Sequence, residues 1–557
     1  MEVNKCNNLE LAYNQACVVF GTNKTSLNSW LYALISDCVL CPYKKIAKIT
    51  NKQNTSVIFD STQSWTWKLF NISDAEETKP STEIRNIICD LTPNLGPNGV
   101  YQVKINDNKC DFDIITPSTN AYTPLVIILA AVISIFALIS IGKVLIKYWR
   151  KKNPMVIKTE DGTEARPVKK RIQSIDTFRG ISILMMIFVN NGAGGYKFLE
   201  HATWNGLYIG DLVFPCFIWI MGFCIPIAIT SQLSRGVSRL IICKNIIKRS
   251  CLLFFLGICL NTLGTDSQLE NIRIFGVLQR FGVAYLVVGL IYAFLSKKKT
   301  KIYEHGLLAQ INDCTSLLPQ WILIMSILIL HCIITFCLTV PGCPKGYIGP
   351  GGLHENGKYF NCTGGFAGYI DRMVLGVNHI YQRPIIDTIY KSGPFDPEGI
   401  LGCLTTIFQT FLGVQAGKIL RVYKTWKGRV IRWIMFAIIY FCIGCILHFT
   451  NYIPVNKNLW SLSFVFISTA IAFTLLTLCY LLVDVVEMWS GGPFRIPGMN
   501  ALVMYIGHQI CYQIFPFHWK FSAMNSHMWQ TIAALWDVGL WTIIAYALHR
   551  KRIYISL

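Results

Sequence analysis

The residues best suited to chemistry lie close together, between positions 174 and 215 of this 557-residue chain. A glycine-rich break follows Asn190, and after it come His201, Trp204, Asn205 and Asp211. A histidine with an ordinary pKa of about 6.5 can accept a proton, a carboxylate can orient it, and asparagine amides can donate hydrogen bonds to an oxyanion. Transfer of an acyl group from a thioester to an amine needs these functions. A lone histidine is more often a solvated loop residue, but these neighbours favour a polar pocket where a helix is interrupted.

Other charged residues have a structural explanation beside a functional one. Asp176 and Arg179 have the spacing of an intrahelical ion pair, which we favour over a catalytic role, although Arg179 could bind anionic phosphates. Gln279 and Arg280 fall within an apolar run, where an unpaired arginine is costly, so Arg280 requires a partner. Asp211 is a candidate for that partner, and ligand binding by Arg280 is an equal alternative.

Asp396, Glu398 and His508 are weaker candidates for substrate binding. The two carboxylates precede an apolar run, where negative charge suits a helix N-terminus, and we favour that role over substrate recognition. His508 lies within an apolar run, and a hydrogen-bonded core histidine is favoured over a pocket residue. Lys418 could meet phosphates, but most basic residues of this kind contact lipid.

Composition indicates which elements must position these residues. The chain is 53% hydrophobic and 15% charged, which leaves too little polar surface for a soluble fold of this size. Apolar runs of about 20 residues can cross a bilayer as helices. The sequence predicts eleven such spans, near 122–146, 177–193, 207–231, 246–264, 276–295, 320–340, 398–417, 431–449, 461–483, 497–516 and 530–548.

The net charge of +21 has a topological explanation. Lys and Arg cluster in alternate loops, most densely at 147–171 and again at 235–249, 297–301, 418–432 and 550–552. Basic loops remain cytosolic, so the N-terminal 121 residues are expected in the lumen and the C-terminus in the cytosol. Contacts with the lipid bilayer account for the charge, and no nucleic-acid partner is expected.

Glycosylation sequons and cysteines agree with this topology. All four sequons, at Asn23, Asn54, Asn71 and Asn361, fall on the side predicted to be luminal. Six cysteines lie in the first 121 residues, and an oxidising lumen favours disulfides among them, with the pairing left open. Cys343 and Cys362 form a plausible local pair in the loop that carries the fourth sequon.

Short strand-like stretches at 56–59, 65–70, 84–91 and 99–105, separated by turn residues, predict a small β-rich domain before the first span. The chain therefore divides into a luminal β-rich domain (1–121), a first transmembrane helix (122–146), a basic cytosolic linker (147–171) and a transmembrane domain (172–557). The start of the sequence lacks the pattern of a secretory signal. We expect that a signal is missing from this sequence, with a reverse-anchor first span as the alternative.

Several long motifs resemble one known family. They are SIDTFRG, VNNGAGGYKFLEHATWNGL, DLVFP, GVLQRFGVAY, PGCPKGYIGPGG, KYFNCTGGFAGYIDR, DPEGILG, FLGVQAGKIL, IPVNKNLWSLS and PGMNALVMYIGHQ. In this order they are similar to stretches of the lysosomal heparan-α-glucosaminide N-acetyltransferases, over roughly 170–557. One departure is VNNGAGG, where the family usually has an aromatic residue after the first Asn and a third consecutive Gly.

The resemblance implies an α-helical polytopic membrane enzyme with a small luminal β-rich domain. It would be a homodimer of the lysosomal membrane that transfers acetyl from cytosolic acetyl-CoA to the terminal glucosamine of heparan sulfate. Asn190 and His201 fall on the essential asparagine and histidine of the family. His201 would act as general base, with a covalent acetyl-imidazole as the rival mechanism.

Two other functions remain open from the sequence. A secondary transporter would also have broken helices and intramembrane charges, but in corresponding places of two halves, whereas the polar residues here concentrate in the second and third spans. An acyltransferase for another sugar is the second alternative, because motifs fix a reaction type more firmly than a substrate. No phosphate-binding loop, dinucleotide fingerprint or zinc motif is evident, so no metal is expected.

Overall fold

The computed structural model describes most of the chain. The described residues are 6, 11–22, 29–49, 54–71, 87–106, 109–152, 171–264, 268–296, 312–512, 514, 517–519 and 524–555. The sequon residue Asn23 lies outside them. Asn54 and Asn361 are exposed, and Asn71 is the last residue of a strand.

The N-terminal domain consists of two four-stranded sheets in its described part. One sheet has the strand order β4-β1-β7-β8, with β1 parallel to β7, and the other has the order β3-β2-β5-β6. The strands are β1 (Gln15–Thr22), β2 (Ser29–Ile35), β3 (Lys44–Ile49), β4 (Thr55–Asp60), β5 (Trp65–Asn71), β6 (Ile87–Leu91), β7 (Val100–Ile105) and β8 (Cys110–Thr116). The four predicted stretches correspond to β4 to β7, and the sequence analysis missed the other four strands.

The two sheets enclose an apolar core that includes Phe20, Leu31, Trp67 and Val103, all fully buried. Alternate strand positions supply these side chains, as expected when each sheet buries one face. Three disulfides lie in this domain, Cys6–Cys17, Cys38–Cys41 and Cys89–Cys110.

The rest of the described chain is mainly helical. Its long or apolar helices are α1 (Thr123–Lys152), α2 (Gln173–Asn190), α3 (Ile209–Ser234), α4 (Arg239–Asn261), α5 (Val277–Leu295), α6 (Leu318–Cys337), α7 (Ile400–Val422), α8 (Trp426–Phe449), α9 (Leu462–Cys479), α10 (Ala501–Ile510) and α11 (His527–Arg550). A π-helical segment, Tyr480–Val485, continues α9. Short helices in the loop before α7 include Phe366–Leu375 and Ile385–Tyr390.

Seven of the described helices are long and apolar enough to cross a membrane: α3, α5, α6, α7, α8, α9 with its π-helical extension, and α11. The predicted class, a polytopic helical membrane protein with a β-rich N-terminal domain, is thus confirmed. Each of the eleven predicted intervals holds a helix, but α10 spans only ten residues, and α2 and α4 carry charged side chains. The count of eleven spans therefore stays a prediction.

Helices α3 and α7 form the centre of the membrane domain. A Cβ added at Gly222 of α3 would lie 1.9 Å from the carbonyl oxygen of Thr410, and one at Gly413 of α7 would lie 2.2 Å from that of Trp219. Small residues let two helix backbones approach this closely without a side chain between them. Glycine at these positions therefore sets the position of α3, whose first turn carries Asp211.

The β-rich domain sits on the loops at the end of the membrane domain where α2 ends and α3 begins. Lys197 forms an ion pair with Asp37 of the β-rich domain, 2.7 Å apart. Tyr390 donates a hydrogen bond to the backbone oxygen of Asp37 at 2.7 Å. Cys343 and Cys362 form a disulfide in the same loop region.

We expect Gly222→Ala to lower the stability of the protein by about 1–3 kcal/mol or more, because the added methyl group meets backbone that cannot move aside. Thermal unfolding in detergent measures the change. Gly539→Ala in α11 is the matched control, since a Cβ there meets no atom within 4 Å. Equal melting temperatures for the two variants would contradict the close contact of α3 with α7.

Candidate active site

The first turn of α3 organises the site through one buried carboxylate. Asp211 has no exposed surface. Its Oδ2 accepts hydrogen bonds from the backbone N–H groups of Ala202 at 3.1 Å and Tyr208 at 3.0 Å. Its Oδ1 lies 2.9 Å from Nδ1 of His201. The carboxylate therefore holds the 202–208 loop in place and fixes the histidine ring at its edge.

Lys457, in the segment between α8 and α9, completes the cluster. Its Nζ lies 2.9 Å from Nδ1 of His201 and 3.4 Å from Oδ1 of Asp211. A neutral histidine either donates from Nδ1 to Asp211 or accepts there from Lys457, and this choice decides whether Nε2 is a proton acceptor or a donor. Lys457 belongs to the motif IPVNKNLWSLS, and it was not predicted as a site residue.

The second ring nitrogen of His201 faces no fixed partner. Among the described residues, none hydrogen-bonds to its Nε2, and 30% of the side chain is exposed. When Nδ1 donates to Asp211, Nε2 is unprotonated and can take a proton from a bound amine; when Nδ1 accepts from Lys457, Nε2 carries a proton instead.

Two further asparagines join the segment of Lys457 to the histidine loop. Asn456 donates to Oδ1 of Asn205 at 3.1 Å, and Asn458 donates to the carbonyl oxygen of Thr203, also at 3.1 Å. Asn205 is thus joined to the segment of Lys457 through Asn456, and its predicted role as a donor to the oxyanion stays a prediction.

Asn190 lies in a separate pair. Its Nδ2 is 2.9 Å from Nε2 of His508, while Nδ1 of His508 is 2.9 Å from the carbonyl oxygen of Met504. A carbonyl can only accept, so Nδ1 of His508 carries the proton and Nε2 accepts from Asn190. The structure therefore hydrogen-bonds two predicted site residues to each other, but not to His201.

The remaining candidates have mainly structural contacts. Trp204 is buried, donates from Nε1 to the carbonyl oxygen of Ile348 at 3.2 Å and packs edge-on against Phe395. Gln279 is buried against the backbone of α4, where Gly257 makes room for its side chain. Asp176 pairs with Arg179 at 3.5 Å, as the helical spacing predicts, and also with Arg171 at 2.7 Å.

Arg280 does not pair with Asp211, so that predicted pairing is wrong. Its Nη2 donates to the carbonyl oxygens of Pro397 at 3.2 Å and Gly399 at 3.1 Å, and its guanidinium lies 4.8 Å from the ring centre of Trp460. Backbone carbonyls, an aromatic face and electrostatic interactions with the carboxylates of Glu398 and Asp371 together compensate for part of the cost of its burial.

Asp396 and Glu398 are bound to Arg273, another residue that the sequence analysis missed. Arg273 makes a two-point contact with Asp396, at 2.9 and 2.6 Å, and also contacts Glu398. Glu398 in turn interacts electrostatically with Lys457. The two carboxylates precede α7, as predicted from the sequence. They also form a charged network with Arg273 that extends to Lys457 in the histidine cluster.

The start of α7 also contacts a third carboxyl group. Asp371, in the helix Phe366–Leu375, accepts a hydrogen bond from the backbone N–H of Ile400 at 2.8 Å. Burial raises the pKa of Asp371 to about 7. It is therefore largely neutral at acidic pH, where it can support α7 without adding negative charge.

A cavity of about 240 Å³ penetrates the membrane domain. Arg179 and Ile555 mark its end near the basic segments, and Arg249 lies farther in, with its guanidinium 4.7 Å from the ring centre of Tyr285. The wall is otherwise mostly apolar and includes Ile183, Met186, Phe217, Met221, Ala228, Leu253, Val277, Phe281, Leu502 and Tyr505.

Two of the predicted site residues follow lining residues of this cavity on the same helices. Asn190 follows Met186 by four residues on α2, and His508 follows Tyr505 by three on α10, so each lies on the cavity face of its helix. Asn190 and His508 thus adjoin the wall of the cavity, although neither they nor His201 belong to its lining.

Comparisons with known proteins agree with the resemblance seen in the sequence. A family model described as heparan-alpha-glucosaminide N-acetyltransferase, catalytic, matches residues 171–338. Heparan-alpha-glucosaminide N-acetyltransferase of Mus musculus is 34% identical, over 98% of this chain and 89% of the mouse protein. The protein of that name from Homo sapiens is 35% identical, over 99% of this chain and 89% of the human protein. These matches favour an acyltransferase over a secondary transporter.

Proposed function

Since this chain belongs to the heparan-α-glucosaminide N-acetyltransferase family, we propose that it transfers acetyl from acetyl-CoA to the amine of a terminal α-linked glucosamine of heparan sulfate. The observation that carries the proposal is the arrangement of His201, Asp211 and Lys457, which leaves one ring nitrogen of the histidine available to a substrate.

His201 acts as the general base in this proposal. As the neutral amine attacks the thioester carbonyl, its proton passes to Nε2 of His201, while Asp211 accepts from Nδ1–H and stabilises the imidazolium that forms. The C–N bond forms, the C–S bond breaks, and His201 returns the proton to the leaving thiolate. An asparagine amide, Asn190 or Asn205, stabilises the tetrahedral oxyanion by donating a hydrogen bond to it.

The 240 Å³ cavity suits the narrow, thioester-bearing arm of the acyl-CoA donor and not the whole molecule. Its mostly apolar wall fits a narrow organic arm, and Arg179 and Arg249 provide positive charge for phosphates. A donor that entered from the basic end would bring its thioester toward Asn190. The donor would then come from the cytosol and the acceptor from the lumen.

The same reasoning gives the proposed orientation and location. The basic segments face the cytosol together with the C-terminus, and the β-rich domain faces the lumen. Homodimer formation and a lysosomal membrane location follow from the family resemblance. The Asn54 and Asn361 sequons are exposed, as glycosylation requires.

Transfer of labelled acetyl from acetyl-CoA to a glucosamine-terminated heparan fragment tests the function with purified full-length protein. We expect His201→Ala to lower kcat by at least about a hundredfold, the contribution of a general base, without loss of the fold. His549→Ala, at the basic end near the C-terminus, is the control and should retain activity.

Retention of more than a tenth of the wild-type kcat by His201→Ala would exclude His201 as the base. Wild-type transfer to another amino sugar, but not to glucosamine, would overturn the acceptor assignment. Label that stays on wild-type protein without acceptor, and disappears in His201→Ala, would replace the base mechanism by an acetyl-imidazole intermediate.

Arg249→Leu tests the donor cavity. We expect KM for acetyl-CoA to rise by about tenfold or more, because a charge-assisted contact with phosphate is lost, while KM for the sugar stays the same. Lys248→Leu removes the same charge from the neighbouring, exposed position of α4 and should change neither value. Equal effects of the two variants would show that Arg249 acts only through general charge.

A further inference from the structure

A second cavity, of about 310 Å³, lies between the β-rich domain and the membrane domain. Ser36, Asp37 and Val39 of the β-rich domain form one wall, and residues of the histidine loop, including Asn205 and Tyr208, form another. Its volume is at the lower end of the roughly 300–1,000 Å³ that small-molecule sites occupy. The donor cavity shares none of these residues.

The lining of the second cavity includes residues that are hydrogen-bonded to the active site. Ala202 and Tyr208 both line it, and both donate backbone hydrogen bonds to Oδ2 of Asp211. A ligand in this cavity would therefore touch the loop that positions His201, one residue from the histidine itself.

The lining has the chemistry of a carbohydrate site. Hydroxyl groups of Ser36 and Tyr208 and the amide of Asn205 supply donors and acceptors. Asn205 accepts from Asn456 through Oδ1, and among the described residues none accepts from its Nδ2. The charge of Asp37 is compensated by Lys197 at 2.7 Å. A neutral polar lining beside aromatic rings can hydrogen-bond sugar hydroxyls and contact the apolar face of a ring.

The wall from the β-rich domain is held rigidly. Tyr390 donates to the carbonyl oxygen of Asp37 at 2.7 Å and accepts from the N–H of Val39 at 3.2 Å. His354 lies 2.7 Å from the carbonyl oxygen of Val39, and the Cys38–Cys41 disulfide closes the turn. A wall fixed in advance loses little entropy when a ligand binds.

We infer that this cavity binds the sugar unit next to the terminal glucosamine, so that the β-rich domain contributes directly to recognition of the acceptor chain. The inference rests on the proposed function, because it assumes that a glucosamine amine is held at His201. The terminal sugar then occupies the catalytic position, and its neighbour lies in the 310 Å³ cavity.

Acceptor length provides the test. For wild-type protein, KM for a tetrasaccharide with a terminal glucosamine should be about tenfold lower than KM for methyl α-glucosaminide, which has no second sugar. The variant Val39→Trp fills the cavity. Val39 is 55% exposed, and its backbone makes the hydrogen bonds that anchor this wall, so they are present in the variant as well. It should remove the advantage of the tetrasaccharide and leave KM for the methyl glycoside within twofold.

Leu40→Trp is the matched control. Leu40 is the next residue of the same turn, 63% exposed, and outside the lining of the cavity, so this variant should behave as wild type with both acceptors. Ser36→Tyr, a second filling variant, should reproduce the effect of Val39→Trp if the latter fails to fold.

Equal KM values of wild type for the two acceptors would overturn the inference while leaving the proposed function intact. So would a tetrasaccharide advantage that survives both filling variants. No transfer to either acceptor by wild type would instead contradict the proposed function.

Discussion

The buried carboxylate of Asp211 is the interaction on which the site depends. It has no exposed surface, yet it holds two backbone N–H groups, one ring nitrogen of His201 and the ammonium of Lys457 within 3.4 Å. Burial of a charge is costly unless hydrogen bonds and an opposite charge compensate for it. The same groups that compensate for the burial also fix the loop and the ring of His201, the proposed general base.

The rest of the membrane domain positions this carboxylate. Glycines at the contact of α3 with α7 let the two helices approach closely, and α7 begins beside Asp396, Glu398 and the half-buried Arg273. The segment that carries Lys457 joins α8 to α9 and reaches the histidine loop through Asn456 and Asn458. Residues far apart in sequence thus converge at the end of the helices where the β-rich domain is bound.

Local sequence patterns predicted the features that depend on neighbouring residues. They failed where contacts with residues far away in the sequence determine a side chain's partners. The helix intervals, the Asp176–Arg179 pair and the grouping of His201 with Asp211 all follow from short-range sequence. Lys457 could not be selected because it lies 256 positions from His201 and looks like any basic loop residue. The predicted partner of Arg280 was wrong for a similar reason. Arg280 binds backbone carbonyl oxygens and the face of a tryptophan, and such contacts cannot be inferred from the types of the side chains in the sequence. Strand β1 was missed because VVF is a short apolar run without clear alternation.

In the proposed mechanism Asp211 keeps His201 in the tautomer that accepts a proton at Nε2, and the variant Asp211→Asn removes this preference. An amide of the same shape can donate to Nδ1 and so favour the opposite tautomer. We predict that kcat for acetyl transfer falls about 10³-fold or more while the protein stays folded, with Asp113→Asn on the surface of the β-rich domain as the unaffected control. A folded Asp211→Asn protein with kcat within tenfold of wild type would contradict the account.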